Sequence, residues 1–115
     1  MAIITDIKQK LQQLRARKRA RDFVLYLQQD KHLPVTEAYL FGSYATGQQK
    51  KWSDIDVCVV SPYFTSDDDA ISFLWQQLRP IDSWNGLEPI GFNEESFRDD
   101  FPLIREIKQK GLRIL

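Results

Sequence analysis

The strongest constraint on the fold is the run Ile55–Val60, in which apolar and mostly β-branched residues follow Asp54 and Asp56. Because apolar residues continue on both alternating faces beyond Asp56, the run predicts a strand in the interior of a sheet. Strand side chains alternate, so the two carboxylates at its entrance project to the same face, roughly 6–7 Å apart. In apolar surroundings such a pair repels unless one carboxyl stays protonated or a cation neutralises it.

Three further strands are predicted, over residues 35–41, 87–92 and 112–115. The strand over residues 87–92 contains Pro89 and Gly91, which favour an edge position or a bulge. Between the first two strands, a turn with a short helix is followed by a polar loop. The pattern predicts a mixed α/β (α+β) domain, with a small mixed β-sheet and helices packed on it.

Three longer helices are predicted, over residues 5–31, from Ser66 to just before Pro80, and over residues 101–110. We expect a single domain over residues 1–115, with the N-terminal helix at about 5–31 and the sheet at about 35–115. In the first helix the apolar residues at helical spacing are Ile7, Leu11 and Leu14, followed by Phe23, Val24 and Leu27. In the second helix the expected buried positions are Ile71, Leu74, Trp75 and Leu78.

Composition excludes several classes of protein. Sixteen basic and sixteen acidic residues cancel, so overall charge indicates neither a nucleic-acid nor a membrane partner. The single cysteine excludes an internal disulfide framework. No signal-peptide pattern and no membrane-spanning apolar run is present, and we expect a cytoplasmic protein. Five of the seven residues at 15–21 are basic, which predicts a solvated helix surface, with an acidic partner or an RNA surface as the alternatives.

The strand before the two aspartates ends in Gly42-Ser43, which enters the short predicted helix. Such a turn directs backbone N–H groups and a hydroxyl at an anion. Mg²⁺ prefers one or two carboxylates together with substrate phosphates. A Gly-Ser turn and an Asp-x-Asp pair are each common as plain loop features. Their combination at the ends of two apolar strands favours a nucleoside triphosphate site.

These residues resemble a known signature. Gly42-Ser43, ten further residues and then Asp54-Ile55-Asp56 are similar to the G-S-x10-D-x-D pattern of the nucleotidyltransferase superfamily that includes DNA polymerase β. The fuller text "FGSYATG…SDIDV" resembles the minimal nucleotidyltransferases of prokaryotes. The later segments "LEPIGFNEESF" and "PLIREIKQKGLRIL" are similar to the corresponding parts of such proteins. The resemblance implies the polymerase β-type nucleotidyltransferase fold.

The resemblance also implies a role for each matching residue. Gly42 and Ser43 would contact the triphosphate of ATP, the nucleotide donor. Asp54 and Asp56 would ligate two Mg²⁺ ions. Glu88, near the start of the third strand, is our candidate for the third acid of the superfamily, which helps to bind metal and to activate the acceptor hydroxyl. Many relatives have Asp at that position.

Four other residues have a functional and a plain interpretation. Asp82 is the second choice for the third acid, although a residue of the turn between helix and strand explains it more simply. Lys50 and Lys51 either reach the triphosphate or belong to a solvated loop. Trp52 either stacks on the nucleotide base or packs at the strand entrance.

The implied reaction is the transfer of AMP from ATP to a hydroxyl acceptor, with release of pyrophosphate. In the family that this chain resembles, the domain is often encoded beside a helical HEPN protein and acts as its antitoxin, attaching AMP to a toxin tyrosine. The resemblance therefore implies a nucleoside triphosphate and a helical HEPN-type partner, and leaves a homo-oligomer open. The alternative is a non-catalytic binding module that neutralises its partner by direct contact.

Overall fold

The computed structural model describes residues 2–115. Within this range the chain forms five α-helices, a 3₁₀ helix and four β-strands. In chain order these are α1 (Ala2–Gln29), β1 (Glu37–Phe41), α2 (Ser43–Thr46), β2 (Ile55–Val60), α3 (Asp67–Gln76), α4 (Pro80–Trp84), β3 (Leu87–Phe92), the 3₁₀ helix (Ser96–Arg98), α5 (Pro102–Lys110) and β4 (Leu112–Arg113). No helix of the described residues is long and apolar enough to cross a membrane.

The four strands form one mixed sheet in the order β3-β2-β1-β4. β1 is antiparallel to both β2 and β4, whereas β2 and β3 are parallel. A parallel pair needs a crossover connection, which α3 and α4 supply. β2 is therefore an interior strand and β3 an edge strand, and both predictions are confirmed.

The sheet is covered on both faces, which explains why β2 is apolar on both sides. Ile55, Val57 and Val59 face the larger core cluster, which includes residues of α1 and α3. Cys58 and Val60 face a smaller cluster that includes residues of α5 and the 3₁₀ helix. All five side chains are buried. The result is the predicted mixed α+β fold, with helices packed on a small mixed sheet.

α1 differs from the prediction at its N-terminal half. The helix begins at Ala2 rather than near residue 5 and ends at Gln29. Ile7, Leu11 and Leu14, whose helical spacing predicted the helix, are more than half exposed. At 28 residues α1 is about 42 Å long, whereas a six-residue strand spans about 20 Å. The sheet is therefore too short to cover both halves of α1.

The C-terminal half of α1 supplies the packing against the sheet. Its buried residues follow helical spacing and line the larger core cluster: Ala16, Ala20, Phe23, Val24 and Leu27. Three of these, Phe23, Val24 and Leu27, are among the apolar residues whose spacing predicted the helix, and all three are buried. The alanines allow the helix to approach the sheet closely, although small size made them a weak hydrophobic signal.

α3 begins as predicted but buries fewer side chains than predicted. The Ser66 hydroxyl accepts a hydrogen bond from the Asp69 backbone N–H at 3.1 Å, which caps the helix. Leu74 is fully buried, whereas Ile71 and Trp75 are exposed, so their predicted burial is wrong. The Trp75 side chain instead lies over the sheet edge and donates its indole N–H to the Pro89 carbonyl at 3.0 Å.

The prediction that Pro80 only follows a helix was incomplete, because Pro80 begins a separate short helix, α4. Proline suits the first turn of a helix, where its missing N–H has no partner to lose. The Asp82 carboxylate caps α4 by accepting the Arg79 backbone N–H at 2.9 Å. α4 brings the chain back to the start of β3.

Candidate active site

The fold brings the predicted site residues to one end of the sheet. Asp54 directly precedes β2, Asp56 is its second residue, and Glu88 is the second residue of β3. In the parallel pairing, Asp56 lies opposite Glu88. On the other side of β2, Asp56 pairs with Phe41, the last residue of β1. Gly42 comes next in the chain, so the Gly-Ser turn and the carboxylates meet at the same edge.

Gly42 and Asp56 are in direct contact. Gly42 has a φ of 75°, a conformation that side chains disfavour. A Cβ placed at Gly42 would overlap the Asp56 Oδ2 atom and would lie 3.2 Å from its Cγ. Glycine therefore lets the Asp56 carboxylate approach the backbone at the start of α2. The two halves of the motif, ten residues apart in sequence, are a single packed unit.

The three carboxylates interact electrostatically. Burial, together with the charges of Glu88 and Asp54, raises the pKa of Asp56 to about 6. Burial and the neighbouring Asp54 carboxylate also raise the pKa of Glu88. Asp56 and Glu88 are partly buried, while Asp54 is exposed at the rim. The arrangement concentrates negative charge at one point, which a bound cation would relieve.

The donor atoms fit a magnesium ion that is bound together with a nucleotide. They are all carboxylate oxygens, which Mg²⁺ prefers over nitrogen or sulfur ligands. Within residues 2–115, no group of three or more His, Cys, Asp or Glu side chains is arranged to hold a metal ion by itself. Mg²⁺ usually takes only one or two carboxylates and completes its shell with water and phosphate oxygens. The site therefore fits a metal whose remaining ligands come from the substrate.

Most of the chain matches the model of a known domain family. The family model of the nucleotidyltransferase domain matches residues 17–114, a span that contains the Gly-Ser turn and all three carboxylates. The chain belongs to the nucleotidyltransferase domain family. No curated protein matches the chain.

Three solved structures share the fold of this nucleotidyltransferase domain. A protein from Sulfolobus solfataricus described as a nucleotidyltransferase is 21% identical, with a TM-score of 0.63 over 95% of this chain and 85% of its own. A mutant of the MntA–HpeT toxin–antitoxin is 18% identical, with a TM-score of 0.56 over 83% of this chain and 72% of its own. A toxin–antitoxin with AMP-PNP is 24% identical, with the same TM-score and coverage.

Gly86 is a site residue that the sequence analysis missed. Its carbonyl accepts a hydrogen bond from the Ile55 N–H at 2.8 Å, next to the first aspartate. A Cβ placed at Gly86 would lie 3.6 Å from the Asp54 Oδ1 atom. The turn before β3 thus packs against Asp54. The dipeptide Asn85-Gly86 is a turn signal in the sequence, but nothing in it indicates which residue the turn contacts.

Two glutamine side chains that the sequence analysis also missed, one in α1 and one in the loop after α2, join α1 to the site. Gln13 Nε2 donates to the backbone carbonyls of Tyr44 at 2.8 Å and Ala45 at 3.1 Å. Gln49 Nε2 donates to the Gln9 carbonyl at 3.0 Å. These bonds tie α2 and the loop between the two motif halves to α1. Since the partners lie more than 30 residues apart, no local pattern could have predicted them.

The basic segment of α1 also approaches the nucleotidyltransferase site. Arg15 and Arg19 line a cavity of about 200 Å³ together with Tyr44 and Ile55. These last two residues directly follow the Gly-Ser turn and the first aspartate. As predicted, most of the basic side chains at positions 15–21 are solvated, but two of them border the motif.

The second choice for the third acid, Asp82, is engaged by a neighbouring arginine. Its buried carboxylate is occupied by Arg79, with Nε at 2.8 Å and Nη2 at 3.0 Å. The plain interpretation of Asp82, a structural residue between helix and strand, therefore agrees with its contacts. Glu88, opposite Asp56, is the acid that the sheet places beside the aspartates.

Two tryptophans, Trp52 and Trp84, are exposed. Trp52 is 85% exposed, so the expectation that it packs at the strand entrance is wrong. Its ring lies 5.1 Å from the Lys51 ammonium group, in a cation–π contact. Trp84, close to Gly86 in the chain, is 87% exposed. Both indoles are available to contact a substrate or a partner.

Proposed function

We propose that this nucleotidyltransferase transfers AMP from ATP to a hydroxyl acceptor, and that the acceptor is a tyrosine of a helical HEPN-type toxin, which the transfer neutralises. The observation that carries the proposal is the contact between Gly42 and Asp56. It brings the turn that we propose to bind phosphate against a carboxylate that we propose to bind metal, and a nucleoside triphosphate with its metal requires both at one place. The chain would then be the antitoxin of a toxin–antitoxin pair.

The structural neighbours support this choice of substrate and partner. Two of the three are toxin–antitoxin structures, and one of these contains AMP-PNP, an adenine nucleotide analogue. The MntA–HpeT mutant replaces two aspartates two positions apart with glutamates. Asp54 and Asp56 have the same separation in this chain.

We assign the roles of the residues as follows. Gly42 and Ser43 hold the triphosphate, while Asp54, Asp56 and Glu88 hold Mg²⁺. Two Mg²⁺ ions held by these carboxylates would supply positive charge that neutralises the phosphoryl oxygens. The Arg15 and Arg19 side chains add positive charge beside the turn, which favours the approach of a polyanionic nucleotide.

The reaction is an in-line displacement at the α-phosphorus. The acceptor oxygen forms a bond to that phosphorus, and the bond to the bridging oxygen of the β-phosphate breaks, so pyrophosphate leaves. The hydroxyl proton passes to a carboxylate of the site, for which Glu88 is our candidate.

Two broader proposals accompany this reaction. We propose that residues 1–115 form one catalytic domain, because both core clusters pack on the same sheet. We also propose that the protein works in the cytoplasm, where ATP and Mg²⁺ are available. Its buried, unpaired Cys58 fits a reducing compartment.

The test is to incubate the chain with labelled ATP, Mg²⁺ and the helical HEPN-type protein encoded beside it, followed by intact mass and RNA-cleavage measurements. We expect AMP to be added to the partner and its RNA cleavage to fall. Asp54→Asn should abolish the added mass, whereas Asp68→Asn, which removes an exposed carboxylate from α3, should not.

A different result would separate the alternatives. If the partner is neutralised without a mass change, and Asp54→Asn neutralises it equally well, the chain is a binding module and the proposed transfer is wrong. If the mass of another acceptor increases while the HEPN-type protein is unchanged, the transfer stands and the proposed partner is wrong.

A further inference from the structure

The N-terminal half of α1 presents an apolar surface to solvent. Ile4, Ile7, Leu11 and Leu14, which we call the α1 strip, are 69%, 53%, 51% and 60% exposed. Single exposed aliphatic residues are common on soluble proteins, but contiguous apolar patches mark interaction sites. The strip lies before residue 17, where the nucleotidyltransferase match begins, so it is additional to the matched region.

The spacing of the α1 strip is that of a helix–helix seam. Its residues are separated by three, four and three positions, the a and d pattern of a coiled coil. They occupy one side of the helix over roughly 15 Å. A membrane-surface helix usually carries Trp or Phe in its apolar face, and the strip contains neither. The geometry favours a second helix as the occupant.

The charges beside the strip decide which helix fits. With Ile4 and Leu11 at a positions, Lys8 and Arg15 occupy the e positions on one side of the strip, and Lys10 and Arg17 the g positions on the other. These four positions are basic, whereas the g position before Ile4 is the exposed Ile3. A second copy of this chain would place Lys and Arg opposite Lys and Arg, whether the two helices ran parallel or antiparallel. Like charges at these positions disfavour pairing.

The far end of the strip is basic as well. Leu14 borders a groove of about 530 Å³ that is also lined by Arg17, Lys18 and Arg21. Asp22 is the acidic residue of this groove. A helix that follows the strip would therefore reach three cationic side chains at this end. Carboxylates on the incoming helix would form ion pairs with these three cationic side chains.

From these contacts and charges, we propose that the α1 strip docks an amphipathic helix of another protein, with Leu- or Ile-type residues on one face and Asp or Glu on both flanks. The surface is distinct from the carboxylate site, and the inference stands whether or not AMP is transferred. If the proposed HEPN-type partner is correct, such a helix is the feature of that partner that we expect to meet α1.

The test uses two designed peptides of about four heptads, a length sufficient for stable helices. Both have Leu at a and d, and they differ in having Glu or Lys at e and g. Binding to the full chain is followed by fluorescence anisotropy. We expect the Glu peptide to bind at least about tenfold more tightly than the Lys peptide, and added salt to weaken its binding.

Variants distinguish binding at the α1 strip from non-specific hydrophobic binding elsewhere on the surface. Leu11→Glu should weaken binding of the Glu peptide by about tenfold or more, because it places a carboxylate in the seam. Ile71→Glu, an equivalent change at an exposed position of α3, should leave binding unchanged. Asp56→Asn should also bind normally, which keeps this test independent of catalysis. Circular dichroism of each variant checks that α1 remains helical.

Three outcomes would overturn the inference. If sedimentation shows a dimer that Leu11→Glu converts to a monomer, the strip pairs with a second copy. If the chain binds vesicles of phosphatidylserine and phosphatidylcholine through Leu11 but neither peptide, the strip is a membrane surface. If the two peptides bind equally, or neither binds, the basic flanks do not select an acidic helix.

Discussion

Asp56→Asn should make the metal-free protein more stable, although it removes a residue proposed to be essential. Burial and two neighbouring carboxylates raise the pKa of Asp56 from 3.8 to about 6. The folded state therefore binds more protons than the unfolded state between these pH values. Stability must fall as the pH rises through this window and remain lower above it. Asparagine carries no charge at this position, so Asp56→Asn should not show this loss of stability as the pH rises.

The size of the effect follows from the same pKa. Moving a pKa from 3.8 to about 6 corresponds to about 3 kcal/mol, at 1.36 kcal/mol per pH unit. The carboxylate is only partly buried, so solvent screening reduces this value, and we expect a gain of about 1–3 kcal/mol above pH 6. In a domain of about 100 residues, each kcal/mol shifts the melting temperature by about 4–8 °C. Even a gain of about 1 kcal/mol is therefore measurable as a shift in melting temperature.

The assay is thermal unfolding in EDTA at a series of pH values from 4 to 8. Wild type should lose stability across the window from 3.8 to 6, and Asp56→Asn should lose much less. Asp68→Asn, which changes an exposed carboxylate, should follow the wild-type curve. Mg²⁺ with a non-hydrolysable ATP analogue should stabilise wild type at neutral pH and have little effect on Asp56→Asn. If Asp56→Asn is less stable than wild type at pH 7.5 without metal, the electrostatic argument is wrong.

Two further predictions test the packing around the site. Gly42→Ala should abolish AMP transfer, because its Cβ would overlap the Asp56 carboxylate. Gly47 has nearly the same φ, but the space around its Cβ is open. Gly47→Ala should therefore lower the free energy of unfolding by only about 1–2 kcal/mol and keep its activity. Equal losses of labelled-AMP transfer in the two variants would refute the contact argument. Asp82→Ala should lower the free energy of unfolding by about 1–3 kcal/mol in urea, because Arg79 loses its partner, while activity per folded molecule stays constant. A selective loss of activity would instead place Asp82 in the site.

The sheet and the core of the motif were predictable because their signals are local. Ile55–Val60 forms a strand with the predicted bounds, and its apolar character on both faces identified it as interior. Leu87–Phe92 was equally well predicted, and its Pro and Gly indicated the edge. The parallel pairing that sets Asp56 opposite Glu88 was not predicted, because the direction and register of two strands cannot be read from their order alone. Their assignment as metal ligands stays a prediction.

Long-range geometry accounts for what the sequence did not reveal. Helical periodicity placed Leu11 on an apolar face, but periodicity cannot show that the sheet ends before that face is reached. Gln13 is polar and gives no hydrophobic signal, yet it joins two helices through its amide. Trp52 carries large apolar area but remains exposed, because no element covers the loop. Each of these depends on which surfaces meet in three dimensions.

If the proposed function and the proposed docking surface are both correct, α1 connects partner recognition to the chemistry. Its C-terminal half is fixed by core packing, and its N-terminal half carries the α1 strip. Between them, Gln13 holds α2, the helix that begins at the Gly42-Ser43 turn. Because a helix is stiff over this length, a partner docked on the strip would be held at a defined position relative to Gly42 and the carboxylates. Sites supported by rigid elements are more precise than sites on loops.

In this arrangement α1 would select the acceptor, while the sheet edge would perform the transfer. On this view Leu11→Glu should reduce AMP transfer to the protein partner. AMP transfer to small hydroxyl acceptors, measured as pyrophosphate release, should be unchanged. Equal loss of both activities would show that the two surfaces are not separate.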